Sequence, residues 1–130
     1  MIAAGQLIKE INHILLVDDD PINNLVNKKL LSSRAPDIKI TDCLDVGLAL
    51  EILNNDNSID IILLDINMPE RDGWDFLKHF SGMGKEIPVI ILTSSVNSSD
   101  HNKSKLFSSV IDFIEKPLNP AKINQILSIK

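Results

Sequence analysis

The chain has 130 residues, enough for one hydrophobic core and too few for two ordinary domains. Apolar residues make up 44% and charged residues 24%, the composition of a folded globular protein and not of a disordered one. The net charge of −5, from 13 basic and 18 acidic residues, and the lack of a Lys/Arg-rich stripe exclude a direct nucleic-acid footprint. Cys43 is the single cysteine, so no internal disulfide can form, and it reads as a small buried apolar residue. No apolar run approaches the roughly 18 residues of a membrane span. The stretch from Met1 to Asn12 lacks a cationic start and is interrupted by Lys9 and Glu10, which makes it a poor signal peptide. A cytoplasmic location is the resulting expectation.

Strand-length apolar runs alternate with amphipathic helical segments. His13–Val17 is the first strand and ends in Asp18-Asp19-Asp20. Asp20 followed by Pro21 is a helix N-cap and first-turn pair, after which Ile22, Leu25, Val26 and Leu30 fall at helical spacing. Asp37–Thr41 reads as the second strand. Asp45 caps a second helix with Val46, Ala49, Leu50 and Leu53 on its apolar face. The third strand, Ile59–Leu64, also ends in an acid, Asp65. A turn from Met68 to Gly73 leads to a helix carrying Trp74, Leu77 and Phe80, with Trp74 as a packing residue.

Val89–Leu92 is the fourth strand, followed by Thr93-Ser94-Ser95. The segment Asn97–Ser109 has only Leu106 and Phe107 as large apolar residues in its second half, so its helix should be the least firmly held. Val110–Ile114 is the fifth strand and runs into Lys116-Pro117. Asn119-Pro120 starts a last helix with Ile123, Ile126 and Leu127 inward. His13, His79 and His101 share no metal-ligand spacing and are expected in ordinary surface or strand-edge roles.

Strict alternation of five strands and five helices implies parallel pairing with right-handed crossovers. The third and fourth strands are apolar on both faces, as they are when helices cover both sides of a sheet. The fold class is therefore α/β, a doubly wound five-stranded parallel sheet in a three-layer sandwich, with 1–12 as an N-terminal extension and 13–130 as the domain. No output domain is expected after the fifth helix.

In such a sheet all strands end at one edge, where ligands bind near the reversal of strand order. Asp18, Asp19, Asp65, Thr93 and Lys116 close or follow four of the strands. Crowded carboxylates repel, by about 4 kcal/mol per pair at ~4 Å, so some protonate or a cation sits among them. An all-oxygen donor set points to a hard ion, Mg²⁺ first. A carboxylate, a hard cation, a hydroxyl and a lysine together suit phosphoryl transfer onto Asp65. Taken singly, each residue also has a plainer role: a turn acid, a cap for Asp20, a strand-end threonine, a surface lysine.

These residues resemble the receiver domain of two-component response regulators over Asn12 to about Ser128. The carriers are Ile14-Leu15-Leu16-Val17-Asp18-Asp19-Asp20, Ile62-Leu63-Leu64-Asp65-Ile66-Asn67-Met68-Pro69 with Asp72-Gly73, Val89-Ile90-Ile91-Leu92-Thr93, and Phe113-Ile114-Glu115-Lys116-Pro117. The resemblance implies the flavodoxin-like strand order 2-1-3-4-5. It also implies Asp65 as phosphoacceptor, Asp18 and Asp19 as the Mg²⁺ acid pair (Asp19 directly, or both through water), and the Asn67 backbone carbonyl as a further ligand. Thr93 and Phe113 match the switch pair, Lys116 its salt-bridge partner, and Lys116-Pro117 a cis peptide. A histidine kinase or phosphotransfer protein would donate the phosphoryl group, and a protein target would read the altered surface. The molecule would be a monomer or an activation-dependent dimer, with no activity beyond self-phosphorylation and slow autodephosphorylation.

Ser108-Ser109 stands where the family usually has a small residue and Gly. Asn67 and Ser95, two residues beyond the acceptor and the threonine, offer neither acid nor base to speed dephosphorylation. A haloacid dehalogenase-type phosphatase would need an Asp at the position of Asn67 and an acid pair after the nucleophile, not before it. A degenerate receiver that signals by surface contacts alone would not need the intact acid pair, acceptor, threonine and lysine.

Overall fold

A computed structural model describes residues 11–66, 73–94 and 98–128. The elements alternate throughout: β1 His13–Val17, α1 Pro21–Arg34, β2 Lys39–Cys43, α2 Val46–Asn55, β3 Ile61–Asp65, α3 Gly73–Ser81, β4 Val89–Thr93, α4 Ser98–Ser104, β5 Val110–Glu115 and α5 Pro120–Leu127. The strands form one parallel sheet in the order β2-β1-β3-β4-β5. Every residue of β1, β3 and β4 is buried, the signature of strands covered on both faces.

Alternation along the strands divides the core in two. Leu15, Val17, Ile62, Leu64, Val89 and Ile91 face α2 and α3, meeting Val46, Ala49, Leu53, Phe76, Leu77 and Phe80. Ile14, Leu16, Leu63, Ile90 and Leu92 face the other way, toward Leu31 of α1 and Ile123 and Ile126 of α5. Phe76 and Phe80 stack with centroids 5.6 Å apart, and truncating either would cost about 3–5 kcal/mol.

Helix starts follow their caps. Asp20 accepts from the backbone N–H of Ile22 at 2.9 Å and Asn23 at 3.4 Å, Asp45 from Leu48 at 2.7 Å, and Asn119 from Lys122 at 2.8 Å. Each cap is worth ~1 kcal/mol and fixes where its helix leaves the sheet edge.

The structure departs from the sequence expectation at several points. β2 runs two residues later than Asp37–Thr41, because a turn from Ile38 N–H to Ala35 C=O occupies its start and Lys39 is the partner of His13. β3 begins at Ile61 rather than Ile59, since Asp60 turns its N–H to His13 C=O before the ladder opens, although Ile59 stays buried. Asp65, Thr93 and Glu115 lie inside their strands, so Asp65 and Thr93 are held by the strand ladder rather than by loops. The largest departure is in α1: Ile22, Leu25 and Val26 are 68%, 54% and 48% exposed, while Asn24, Asn27 and Leu31 point inward. α4 has seven residues, shorter than the segment expected, with Ser104 the buried one among its described side chains. Leu106 is exposed, and Phe107 packs on Trp74 with centroids 6.2 Å apart.

Candidate functional site

The C-terminal edge of the sheet gathers the residues singled out above. β1 and β3 are neighbours, so Asp18 and Asp19, just past Val17, come beside Asp65 at the end of β3. One carboxylate oxygen from each of Asp18, Asp19 and Asp65 lies within 4.8 Å of the others. Asp18 and Asp65 are buried and Asp19 is half-buried, which leaves the cluster one open side. Lys116, just past β5, sets its Nζ 3.3 Å from Asp65 Oδ2 and 3.6 Å from Asp18 Oδ2.

Burial pushes the Asp18 carboxyl up to about 6, helped by the negative charge of Asp65. The backbone N–H of Asp20, donating to Asp18 Oδ1 at 2.9 Å, and the Lys116 ammonium oppose the rise. Asp18 Oδ2 is buried and accepts no hydrogen bond among the described residues, its nearest cation being Lys116 at 3.6 Å. A shielded carboxylate oxygen lacking a donor, beside two more carboxylates, fits a small hard cation.

Thr93 ends β4, is fully buried, and accepts from the Lys116 backbone N–H through its carbonyl at 2.7 Å. Thr93 pairs with Glu115 in the ladder, next to Lys116, so threonine and lysine occupy adjacent strand ends. Phe113 is half-buried on β5 and meets the His101 ring, with centroids 5.6 Å apart. The Lys116–Pro117 peptide bond is cis. Asn67 and Ser95 lie outside the described residues.

Sequence patterning missed three supports of this site. Asn24, buried in α1, donates from Nδ2 to the carbonyls of Asp18 at 3.0 Å and Cys43 at 3.2 Å, locking the acid turn against β2. A polar residue set between apolar ones in a helix is the one sequence signal for it. Gly73 opens α3 so close to the end of β3 that an added Cβ would lie 2.8 Å from Ile66 Cα and 3.0 Å from Asp65 O. Lys122 donates from Nζ to the carbonyls of Glu115 at 2.6 Å and Pro117 at 3.3 Å, bracketing Lys116.

Cys43 is buried, its thiol pushed up to about 12 mainly by burial, and is inert. Trp74 is a packing residue, with Lys103 Nζ 4.8 Å from its ring centroid. His79 and His101 are exposed, whereas His13 is buried and not a surface residue. No helix among the described residues is long and apolar enough to cross a membrane.

A doubly wound sheet with three acids and a lysine at the carboxyl end of its strands defines an α/β domain built to hold a charged ligand at that edge. Residues 14–128 match the model of the response regulator receiver domain. The chain is 34% identical over 116 residues to the two-component response regulator ORR3 of Oryza sativa subsp. indica, covering 88% of this chain and 86% of that protein. It is 30% identical over 122 residues to ARR22 of Arabidopsis thaliana, covering 92% and 84%. The crystal structure of a two-component response regulator from Cytophaga hutchinsonii superposes with a TM-score of 0.81 at 27% identity, covering 91% of this chain and 95% of that one. The chain belongs to the response regulator receiver domain family, the phosphoacceptor signalling modules of two-component systems.

Proposed function

We propose that Asp65 is the phosphoacceptor, that Mg²⁺ is held by Asp18, Asp19 and Asp65 with the Asn67 carbonyl, and that a phosphohistidine is the physiological donor. The observation that carries this reading is the trio of carboxylates within 4.8 Å of one another, faced by Lys116. Asp65 needs no general base, because a carboxylate is already a nucleophile. Its oxygen forms the bond to phosphorus as the P–N bond breaks, and the electron pair leaves on the imidazole nitrogen, which then takes a proton from solvent. When bound, Mg²⁺ supplies positive charge to the phosphoryl oxygens. Lys116 pairs with another of those oxygens, exchanging a carboxylate partner for a phosphoryl one. Asp18 and Asp19 keep the cation at the edge, and burial of Asp65 limits the approach of water.

The phosphorylated carboxyl is then a new acceptor for the Thr93 hydroxyl at the neighbouring strand end. Motion of Thr93 frees space into which Phe113 turns, and α4, with its thin apolar support, shifts with it. The altered surface is read by a downstream protein, as a monomer or an activation-dependent dimer. The protein acts in the cytoplasm, binds no nucleic acid directly, and turns over no external substrate.

For the donor, the structure offers a groove of about 330 Å³ lined by Val26, Leu30, Ser94, Lys116, Pro117 and Leu118. Ile22 and Leu25, exposed on α1 beside Val26, add apolar surface to that side of the groove, and a phosphohistidine-bearing domain would dock there.

Incubation with labelled acetyl phosphate and Mg²⁺ should label the protein, and Asp65→Asn or chelation should abolish the label. Label retained in Asp65→Asn would overturn the assignment. Turnover of a small phosphomonoester would favour a phosphatase instead. Leu25→Asp should slow transfer from a phosphohistidine donor while leaving acetyl phosphate labelling intact. Equal slowing of both would remove the docking surface from the proposal.

A further inference from the structure

The other end of β1 carries a second polar cluster that phosphoryl chemistry does not use. His13 is 3% exposed, with Nδ1 2.7 Å from Ser58 Oγ and Nε2 2.7 Å from Thr41 Oγ1. Ser58 Oγ donates to Asp56 Oδ1 at 2.6 Å, and Asp56 Oδ1 also accepts from the Ser58 N–H at 2.8 Å. A hydroxyl has one proton, so Ser58 has none left for His13 and must accept from it. Nδ1 therefore carries the hydrogen, and Nε2 accepts from the Thr41 hydroxyl. The chain Thr41–His13–Ser58–Asp56 is fully directional when the imidazole is neutral.

Three segments meet in this ring. Thr41 sits in β2, paired among the described residues only with β1, and Ser58 sits in the turn between α2 and β3. We propose that His13 is a proton-operated clasp, closing β2 and the α2–β3 turn onto β1 when neutral and releasing them when protonated. A second proton would go on Nε2, so Thr41 could then only accept there, its hydroxyl hydrogen would have to turn away, and the enclosed imidazolium would face no carboxylate at that end.

The charge would be enclosed and near Lys39, which pairs with His13 across the ladder. Facing it are Lys39 from β2, Asp56 from the α2–β3 turn and Asp60 ahead of β3. Asp60 Oδ2 already accepts from the N–H of Asn12 at 2.7 Å and of His13 at 3.0 Å. Burial, then Lys39, lowers the imidazole from its ordinary value, while Asp56 and Asp60 act against them. A base lowered in the folded form binds fewer protons than the unfolded chain. The clasp is thus fully formed above about pH 6.5 and weakens as pH falls from there toward the folded value. The far end of β2 supports the acid turn, since Cys43 C=O accepts from the Asp18 N–H at 3.2 Å and from Asn24. Acid loosening of β2 would reach the phosphoryl site through that strand.

The test follows the His13 ring and the β2 amides by NMR from pH 7.5 to 5. His13 should show the Nδ1–H tautomer and titrate below the ordinary imidazole value. Protection of Ile40–Cys43 amides, corrected for intrinsic exchange, should fall by up to about tenfold for each unit separating the folded and unfolded midpoints. Thr41→Val removes the donor to Nε2 while keeping a branched strand residue. It should move the His13 midpoint upward and flatten the pH dependence of β2 protection. An unlowered His13 midpoint, pH-independent β2 protection, or an unmoved midpoint in Thr41→Val would each overturn the proposal.

Discussion

Replacing Asp18 with asparagine tests the electrostatics of the site without depending on any partner. Carboxylate oxygens of Asp18, Asp19 and Asp65 lie within 4.8 Å of one another, and Asp18 is 3.6 Å from Lys116. At an effective dielectric of 20, each carboxylate pair at that separation repels by about 3 kcal/mol, and the lysine returns about 4–5 kcal/mol. Removing the Asp18 charge while keeping an oxygen for the Asp20 N–H should therefore stabilise the ion-free fold, by about 2 kcal/mol. For a domain of this size that is a rise in Tm of roughly 6–10 °C. The pH profile carries the same information. Asp18 is raised from 3.8 to about 6, so the folded state holds its proton more tightly than the unfolded chain. Stability of the ion-free wild type falls as pH rises through that window, and Asp18→Asn should lack this slope. Mg²⁺ should reverse the ranking: at a hundredfold excess over its Kd it adds about 2.7 kcal/mol to the wild type and little to the variant. Thermal melts in chelator and in Mg²⁺, at pH 4 and pH 7, read every arm. A lower ion-free Tm in Asp18→Asn, or a wild type indifferent to Mg²⁺, would refute the reasoning.

Other substitutions probe the supports of the site. Gly73→Ala drives a methyl into Ile66 Cα and Asp65 O and should cost about 1–3 kcal/mol in urea unfolding, with slower acetyl phosphate labelling as Asp65 shifts. Asn24→Ala frees the carbonyls of Asp18 and Cys43 and should lower stability by about 1–3 kcal/mol, whereas Leu25→Ala on the exposed side of the same helix should stay within about 0.5 kcal/mol. Lys122→Met removes the bracket around Lys116 and should change stability by less than about 1 kcal/mol while reducing the yield of phosphorylated protein, measured by labelling at fixed acetyl phosphate.

The order of elements and the sheet edge at which the acids converge were legible in the sequence, because both depend on short-range signals. Apolar runs on β1, β3 and β4, and the cap pairs Asp20-Pro21 and Asn119-Pro120, specify strands and helix starts within a few residues of chain. With right-handed crossovers obligatory, those local assignments bring Asp18, Asp65, Thr93 and Lys116 to one edge. Where side chains sit relative to other elements was decided only by tertiary structure. α1 shows this most clearly: its apolar residues Ile22, Leu25 and Val26 face outward, since the carbonyls of Asp18 and Cys43 beneath it require the amide of Asn24. The enclosure of His13 likewise arises from Thr41 and Ser58, hydroxyls 28 and 45 residues away, which no periodicity in β1 could announce. Periodicity records how much apolar surface a segment carries, whereas the polar groups it must satisfy are supplied by neighbours that only the folded chain brings within reach.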